Sequence, residues 1–227
     1  MDDLLIYLRL GFRHIIDING SDHILFILAL VIRYVWEDWK NILVLVTSFT
    51  IGHSVTLALS TLNWVNFPVS VIEVLIPITI LLTAISNYLV KDFSFTSKYP
   101  FIYFTALFFG LIHGLGFSNY LKSLLGQEES LIGPLFSFNL GLELGQLLIV
   151  SIILLFSFIF VSLLKLDRKR IVQVISGIVF LLAANMVCEG FLATLIVLIP
   201  TIANTIPAPK LAPAEKHIIL NKYITLP

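Results

Sequence analysis

Few residues in this chain could do chemistry, so their positions are informative. Of five histidines, His14, His23, His53 and His113 stand in or beside long apolar runs, while His217 lies near the end. Asp22 adjoins His23, and Glu143 interrupts another apolar run. Imidazole suits Zn, Cu, Fe and Ni, and a carboxylate completes a mixed nitrogen and oxygen site. Asp22 and His23 are adjacent and cannot share one helix face, so a helix start or a loop is their natural setting. There is no glycine-rich phosphate loop and no Gly-x-Ser-x-Gly elbow, which argues against ATP-driven transport by this chain alone and against that class of serine hydrolase.

The elements that must position these groups are membrane helices. The 227 residues are 58% hydrophobic and 12% charged, with a mean hydropathy of +1.00. Soluble domains carry about 25% charged residues, so a soluble globular domain is excluded, as are disorder and a disulfide scaffold. Lys+Arg 14 balance Asp+Glu 14, which leaves no basic excess for nucleic acid. The apolar runs are too long and uninterrupted for barrel strands. The expected fold is all-α, a polytopic membrane helix bundle over 1–199 with about six spans: 21–34, 41–62, 69–90, 100–124, 131–164 and 171–189. The stretch Leu4–Ile16 extends the first span at its start. An apolar extension, 191–199, could prolong the last helix, re-enter the membrane or lie on its surface. From Pro200 a proline-containing extramembrane tail, 200–227, is expected to be irregular. Met1-Asp2-Asp3 is acidic, so no cleavable signal is expected.

Cations set the orientation. The loops after spans one, three and five carry Arg33 and Lys40, Lys91 and Lys98, and Lys165, Arg168, Lys169 and Arg170. The opposite side carries Arg9, Arg13 and Lys122 in its short segments. The amino terminus is therefore expected outside. On that topology His53 and His113 lie about 18 Å from the inner ends of their spans, at about 1.5 Å per residue. Asp22, His23, Glu73, Glu143 and Glu189 also fall in the outer half. A charged group at a helix centre costs about 2.5–3.5 kcal/mol, so these groups should face one another, a metal or a water-filled cavity. A single membrane histidine can equally bridge two helices. Asn139, Glu143 and Gln146 share one helical stripe, and Thr47, Thr50 and Ser54 share another beside His53. Pro77 removes a backbone donor one turn beyond Glu73. Gly110-x3-Gly114 and Gly141-x3-Gly145 read as close helix packing. Trp36, Trp39 and Trp64 read as interfacial anchors. Cys188 reads as a buried thiol or a soft ligand.

Four runs carry a family resemblance: Gly11-Phe12-Arg13-His14 with Ser21-Asp22-His23-Ile24-Leu25-Phe26; Phe49-Thr50-Ile51-Gly52-His53-Ser54-Val55-Thr56-Leu57; Phe109-Gly110-Leu111-Ile112-His113-Gly114-Leu115-Gly116-Phe117; and Phe138-Asn139-Leu140-Gly141-Leu142-Glu143-Leu144-Gly145-Gln146. Together they resemble the HupE/UreJ membrane proteins, described as hydrogenase or urease accessory proteins and in part as nickel permeases. The resemblance implies a secondary transporter (permease) for a divalent transition metal, Ni or Zn, with nickel favoured. It also implies a bacterial inner membrane as the location. It points to His23, His53, His113, Asp22, Glu143 and His14 as metal ligands. Glu73, Asn139, Gln146, Glu189 and Ser54 would orient those ligands or relay protons. The family pattern separates its first His from Asp-His by five residues, and here seven intervene. Either the insertion lies in a loop or His14 leaves the site.

Two rival readings stand beside transport. Three histidines and a carboxylate could hold Zn²⁺ and activate water, with Glu143 as general base, in an intramembrane hydrolase or transferase acting on a lipid or lipid-linked substrate. The chain could also be a metal-binding accessory or sensor subunit, with a protein partner docked through the C-terminal tail.

Overall fold

The structure is a computed structural model that describes residues 2–90, 101–125 and 131–205. Lys91, Lys98, Glu128, Glu129, His217 and the prolines after Pro200 lie outside the described residues. Two compact units are distinguished, residues 1–191 and 192–227. Among the described residues there is no strand, and the helices are α1 (Asp2–Ile16), α2 (Asp22–Val31), α3 (Trp39–Thr61), α4 (Val69–Leu89), α5 (Phe101–Leu125), α6 (Ile132–Ser157) and α7 (Arg168–Thr205). A single 3-10 turn, Trp36–Asp38, leads into α3. A π-helical stretch, Phe158–Leu163, prolongs α6.

The five helical segments Trp36–Thr61, Val69–Leu89, Phe101–Ser118, Ile132–Leu163 and Arg168–Ile196 are long and apolar enough to cross a membrane. Their exposed surfaces are apolar, including Ile51, Phe104, Leu144, Ile152 and Leu181, whereas buried positions hold His53, His113 and Gln146. An apolar outer surface on helices of this length suits a lipid solvent, and the chain is an integral membrane protein. Trp39 and Trp64 bracket α3, and both are exposed. Their helix spans about 34 Å at about 1.5 Å per residue, close to the hydrocarbon thickness. Asn63, just past the end of α3, takes the left-handed conformation (φ 60°) that Asn tolerates at helix ends.

The expected first span is the one that departs from a simple crossing. It is broken into α1 and the ten-residue α2, with residues 17–21 between them. At the other end, α7 is continuous through Thr205. The 191–199 stretch therefore prolongs the helix, and residues 200–205 of the expected irregular tail are helical.

Two helix pairs hold the remaining architecture, and glycine sets both. A β-carbon on Gly52 would collide with the Leu107 carbonyl oxygen, and one on Gly110 with the Phe49 carbonyl oxygen. Gly114 in turn faces His53 and Thr56. Contacts that advance together along both chains mean that α3 and α5 run in the same direction. The second pair uses the same scheme. Gly141 abuts the Leu8 carbonyl, Gly11 the Phe138 carbonyl, and Gly145 faces Phe12 and Ile15, so α1 and α6 also run in the same direction. The Ser137 hydroxyl donates to the Leu4 carbonyl at the start of that pair. Phe117, late in α5, stacks on Phe138, early in α6, at 5.3 Å, which joins the two pairs. His14 and His113 occupy corresponding places, each three residues after the glycine that admits its partner helix.

α4 packs against α2 and α5. Asn87 donates to the Ala29 carbonyl at 2.6 Å, satisfying one of the carbonyls that the end of α2 leaves open. The Arg168 guanidinium donates to the Arg33 carbonyl, which ties the start of α7 to the chain just beyond α2.

These contacts predict Gly52→Ala and Gly110→Ala to destabilise the bundle by about 1–3 kcal/mol, since backbone rather than a flexible side chain is in the way. No heavy atom outside the local helix lies within 4 Å of a β-carbon at Gly177. There, Gly177→Ala should be neutral or stabilise by about 0.5–1 kcal/mol. Thermal unfolding of the purified variants in detergent checks both; equal midpoints for all three would contradict the packing account.

Candidate metal centre

The break between α1 and α2 brings their histidines together. His14 ends α1 and His23 opens α2, with ring centroids 4.6 Å apart. His53, midway along α3, lies 6.1 Å from His14 and 5.7 Å from His23. His113, on α5, lies 5.2 Å from His23. Four imidazoles from four helices thus form one cluster. The longer spacing after His14 falls in the 17–21 break, so the two extra residues do not rotate His14 away.

Three of these rings are buried, and His14 is half-buried. His53 and His113 are fully buried and His23 is 3% exposed. Five of their nitrogens are buried with no hydrogen-bond partner among the described residues: His14 Nε2, His23 Nε2, both nitrogens of His53, and His113 Nδ1. An unpaired buried polar atom costs roughly 1–3 kcal/mol, so five at one place mark a position built for something that fills them. His23 Nδ1 lies 3.2 Å from Asp22 Oδ1. A carboxylate only accepts, so Nδ1 carries the hydrogen and the Nε2 lone pair is left free. That is the usual arrangement behind a metal-binding histidine.

Ligand atoms of Asp22, His23 and His113 lie within 4.8 Å of one another. Among the described residues, this is the group of His, Cys, Asp and Glu close enough to hold one ion. Beside it is a cavity of about 330 Å³, lined in part by His14, Asp22, His23, Glu73, His113 and Met186. A second cavity, of about 580 Å³, is lined by Arg13, His14, Asp17, Asn19, Phe117 and Tyr120, among others. His14 and Phe117 line both, with ring centroids 4.0 Å apart.

The other candidate residues separate into three places. Glu73 lines the smaller cavity with Pro77. Glu143 does not join the close group; its Oε1 accepts from the Thr47 hydroxyl at 2.7 Å. One turn further along both helices, Thr50 donates to Gln146 Oε1 at 2.6 Å. Asn139 Oδ1 and Gln146 Nε2 are buried without a partner among the described residues. Ser54 is spent on its own helix, donating to the Thr50 carbonyl at 2.7 Å. Glu189 is exposed and accepts from Asn185 at 2.8 Å. Cys188 is exposed too, a correction to the buried thiol expected for it. Sequence reasoning missed Thr79, whose hydroxyl meets His113 Nε2 at 2.9 Å. Only its closeness to Pro77 and Glu73 along α4 could have signalled it.

A model of the family described as HupE / UreJ protein matches residues 1–190. The chain belongs to the HupE/UreJ family. The match ends one residue before the first compact unit does and takes in every histidine of the cluster. No curated protein and no solved structure matches the chain. Within the cluster of this HupE/UreJ protein the donor set is imidazole with carboxylate, which suits a divalent transition metal.

The geometry predicts that His23→Ala lowers Ni²⁺ affinity about tenfold or more, whereas Ser54→Ala and Glu189→Gln leave it within about twofold. Equilibrium dialysis of the purified protein distinguishes these outcomes, and equal loss in all three variants would contradict the placement.

Proposed function

We propose that the protein is a secondary transporter for a divalent transition metal, with Ni²⁺ the favoured cargo. The observation that carries this reading is the cluster of four imidazoles, three of them buried, whose unpaired nitrogens lie beside a cavity. Asp22, His23 and His113 form the tightest group, and His14 and His53 complete the ring. Glu73, at the cavity wall, draws a hydrated cation inward, and the imidazoles replace its water.

A carrier also needs a way out. The pairs Thr47–Glu143 and Thr50–Gln146 lie between α3 and α6, about 9 Å and 4.5 Å from His53 toward the start of α3. On the orientation expected from the loop cations, with the amino terminus outside, that is the inward direction. The Thr47 and Thr50 hydroxyls then mark the release side, with Glu143, Gln146 and Asn139 on the facing helix. A hydrolase has no need of this polar ladder, which favours transport over the enzymatic reading. The two closely packed helix pairs supply the moving parts. A broken helix at a central site is a recurring feature of secondary transporters. Tilting α1/α6 against α3/α5 would open one side of the cluster and close the other.

Inward movement of two charges across 100 mV releases about 4.6 kcal/mol, so membrane potential alone can drive uptake. Proteoliposomes holding an interior-negative potential should accumulate Ni²⁺, and His53→Ala or His113→Ala should abolish it. Thr50→Val with Thr47→Val should slow flux several-fold while equilibrium binding persists. Absence of flux under any gradient, or flux unaffected by loss of His53 and His113, would contradict the proposal.

A further inference from the structure

The His113 ring is clamped. Phe26 lies 4.9 Å from its centroid and Phe49 5.1 Å, and both phenylalanines are 1% exposed or less. His23 occupies a third side at 5.2 Å. The ring's two nitrogens therefore face different surroundings. Nδ1 is buried without a partner among the described residues, while Nε2 meets the Thr79 hydroxyl at 2.9 Å. Thr79 is itself 2% exposed.

A hydroxyl has one hydrogen to give. Thr79 Oγ1 lies 2.7 Å from the Ile76 carbonyl oxygen, which can only accept. That contact takes the Thr79 hydrogen, and the oxygen's lone pairs are left to face His113. The Nε2 contact is then a hydrogen bond only if Nε2 carries the imidazole hydrogen. In a neutral ring this leaves the lone pair on Nδ1, the orphaned atom. Thr79 is not among the residues that line the cavity; it acts from behind the ring.

We infer that Thr79 is a positioning residue that fixes His113 as its Nε2–H tautomer and so presents Nδ1 as the metal-binding atom. The inference rests on reading the cluster as a metal site. It extends to His113 the arrangement that Asp22 gives His23, with the opposite ring nitrogen held. His23 binds through Nε2 and His113 through Nδ1, because their anchoring partners lie on opposite sides of their rings. The helix that supplies Thr79 also carries Pro77 and Glu73, so α4 shapes the cavity wall and sets one of its ligands. A valine at position 79 keeps the shape but removes the acceptor. Nε2–H would then be left unpaired, and the hydrogen could move to Nδ1, blocking the ligand atom.

The test uses full-length protein carrying ¹⁵N-labelled histidine in detergent, with the His113 signals assigned by their disappearance in His113→Asn. Metal-free wild type should show the Nε2–H pattern at His113, and Thr79→Ser should keep it. Thr79→Val should show a mixture of tautomers and bind Ni²⁺ about 10- to 100-fold more weakly by equilibrium dialysis, with Thr79→Ser near wild type. The wild-type spectrum needs no variant to fold, so a failure of Thr79→Val to fold leaves the inference open to refutation. Nδ1–H at His113 in a wild type that binds Ni²⁺ overturns this inference alone, as does wild-type affinity in folded Thr79→Val. Absence of Ni²⁺ binding by the wild type, with whichever tautomer, overturns the metal reading and the ligand role of His113 with it.

Discussion

The close approach of α3 to α5 is the contact on which the rest of the structure depends. Gly52 and Gly110 remove the side chains that would separate the two backbones, and each meets a carbonyl of the other helix. His53 directly follows Gly52 and His113 stands three residues after Gly110. The same contact that packs the helices therefore places both imidazoles in the interior. The pair α1/α6 repeats the device and adds His14. In a bilayer no hydrophobic force drives helices together, and close packing of small residues must supply association. The motif glycines are thus structural in their direct role and functional through what they position.

The cost of this arrangement identifies the site. The packing of the helix pairs holds five unpaired imidazole nitrogens in an interior where such atoms are unfavourable. By contrast, several polar residues elsewhere in the helices find partners: Ser48, Thr61 and Ser151 bond carbonyls four residues back, and Asn87 bonds the end of α2. The unsatisfied atoms concentrate where α1 breaks and α2 begins. A broken helix leaves backbone and side chains free to surround a ligand, which a continuous span cannot do.

Much of this was legible in the sequence. Composition and run length give an all-α membrane bundle, and the structure is all-helical among the described residues. The four histidines are brought together as their motifs imply. The adjacent Asp22 and His23 asked for a helix start or a loop, and the longer spacing after His14 allowed one, but the place of the break at residues 17–21 was not legible. Nor was the fate of Glu143. Its stripe with Asn139 and Gln146 was visible by spacing, but spacing does not reveal that the stripe faces Thr47 and Thr50. The separation of Ser54 and Glu189 from the cluster was hidden similarly, since each meets a partner on its own helix. Thr79 lacked any signal of residue type, because threonine in an apolar helix usually bonds its own backbone, and Thr79 does that as well.

The central claim is that the imidazole cluster binds the transported metal directly. X-ray absorption at the nickel edge of the Ni²⁺-loaded protein tests it most directly. The account predicts nitrogen and oxygen neighbours with the outer-shell scattering of several imidazoles, reduced in His53→Ala. A spectrum of hydrated Ni²⁺ without imidazole scattering, or one dominated by sulfur, would contradict it.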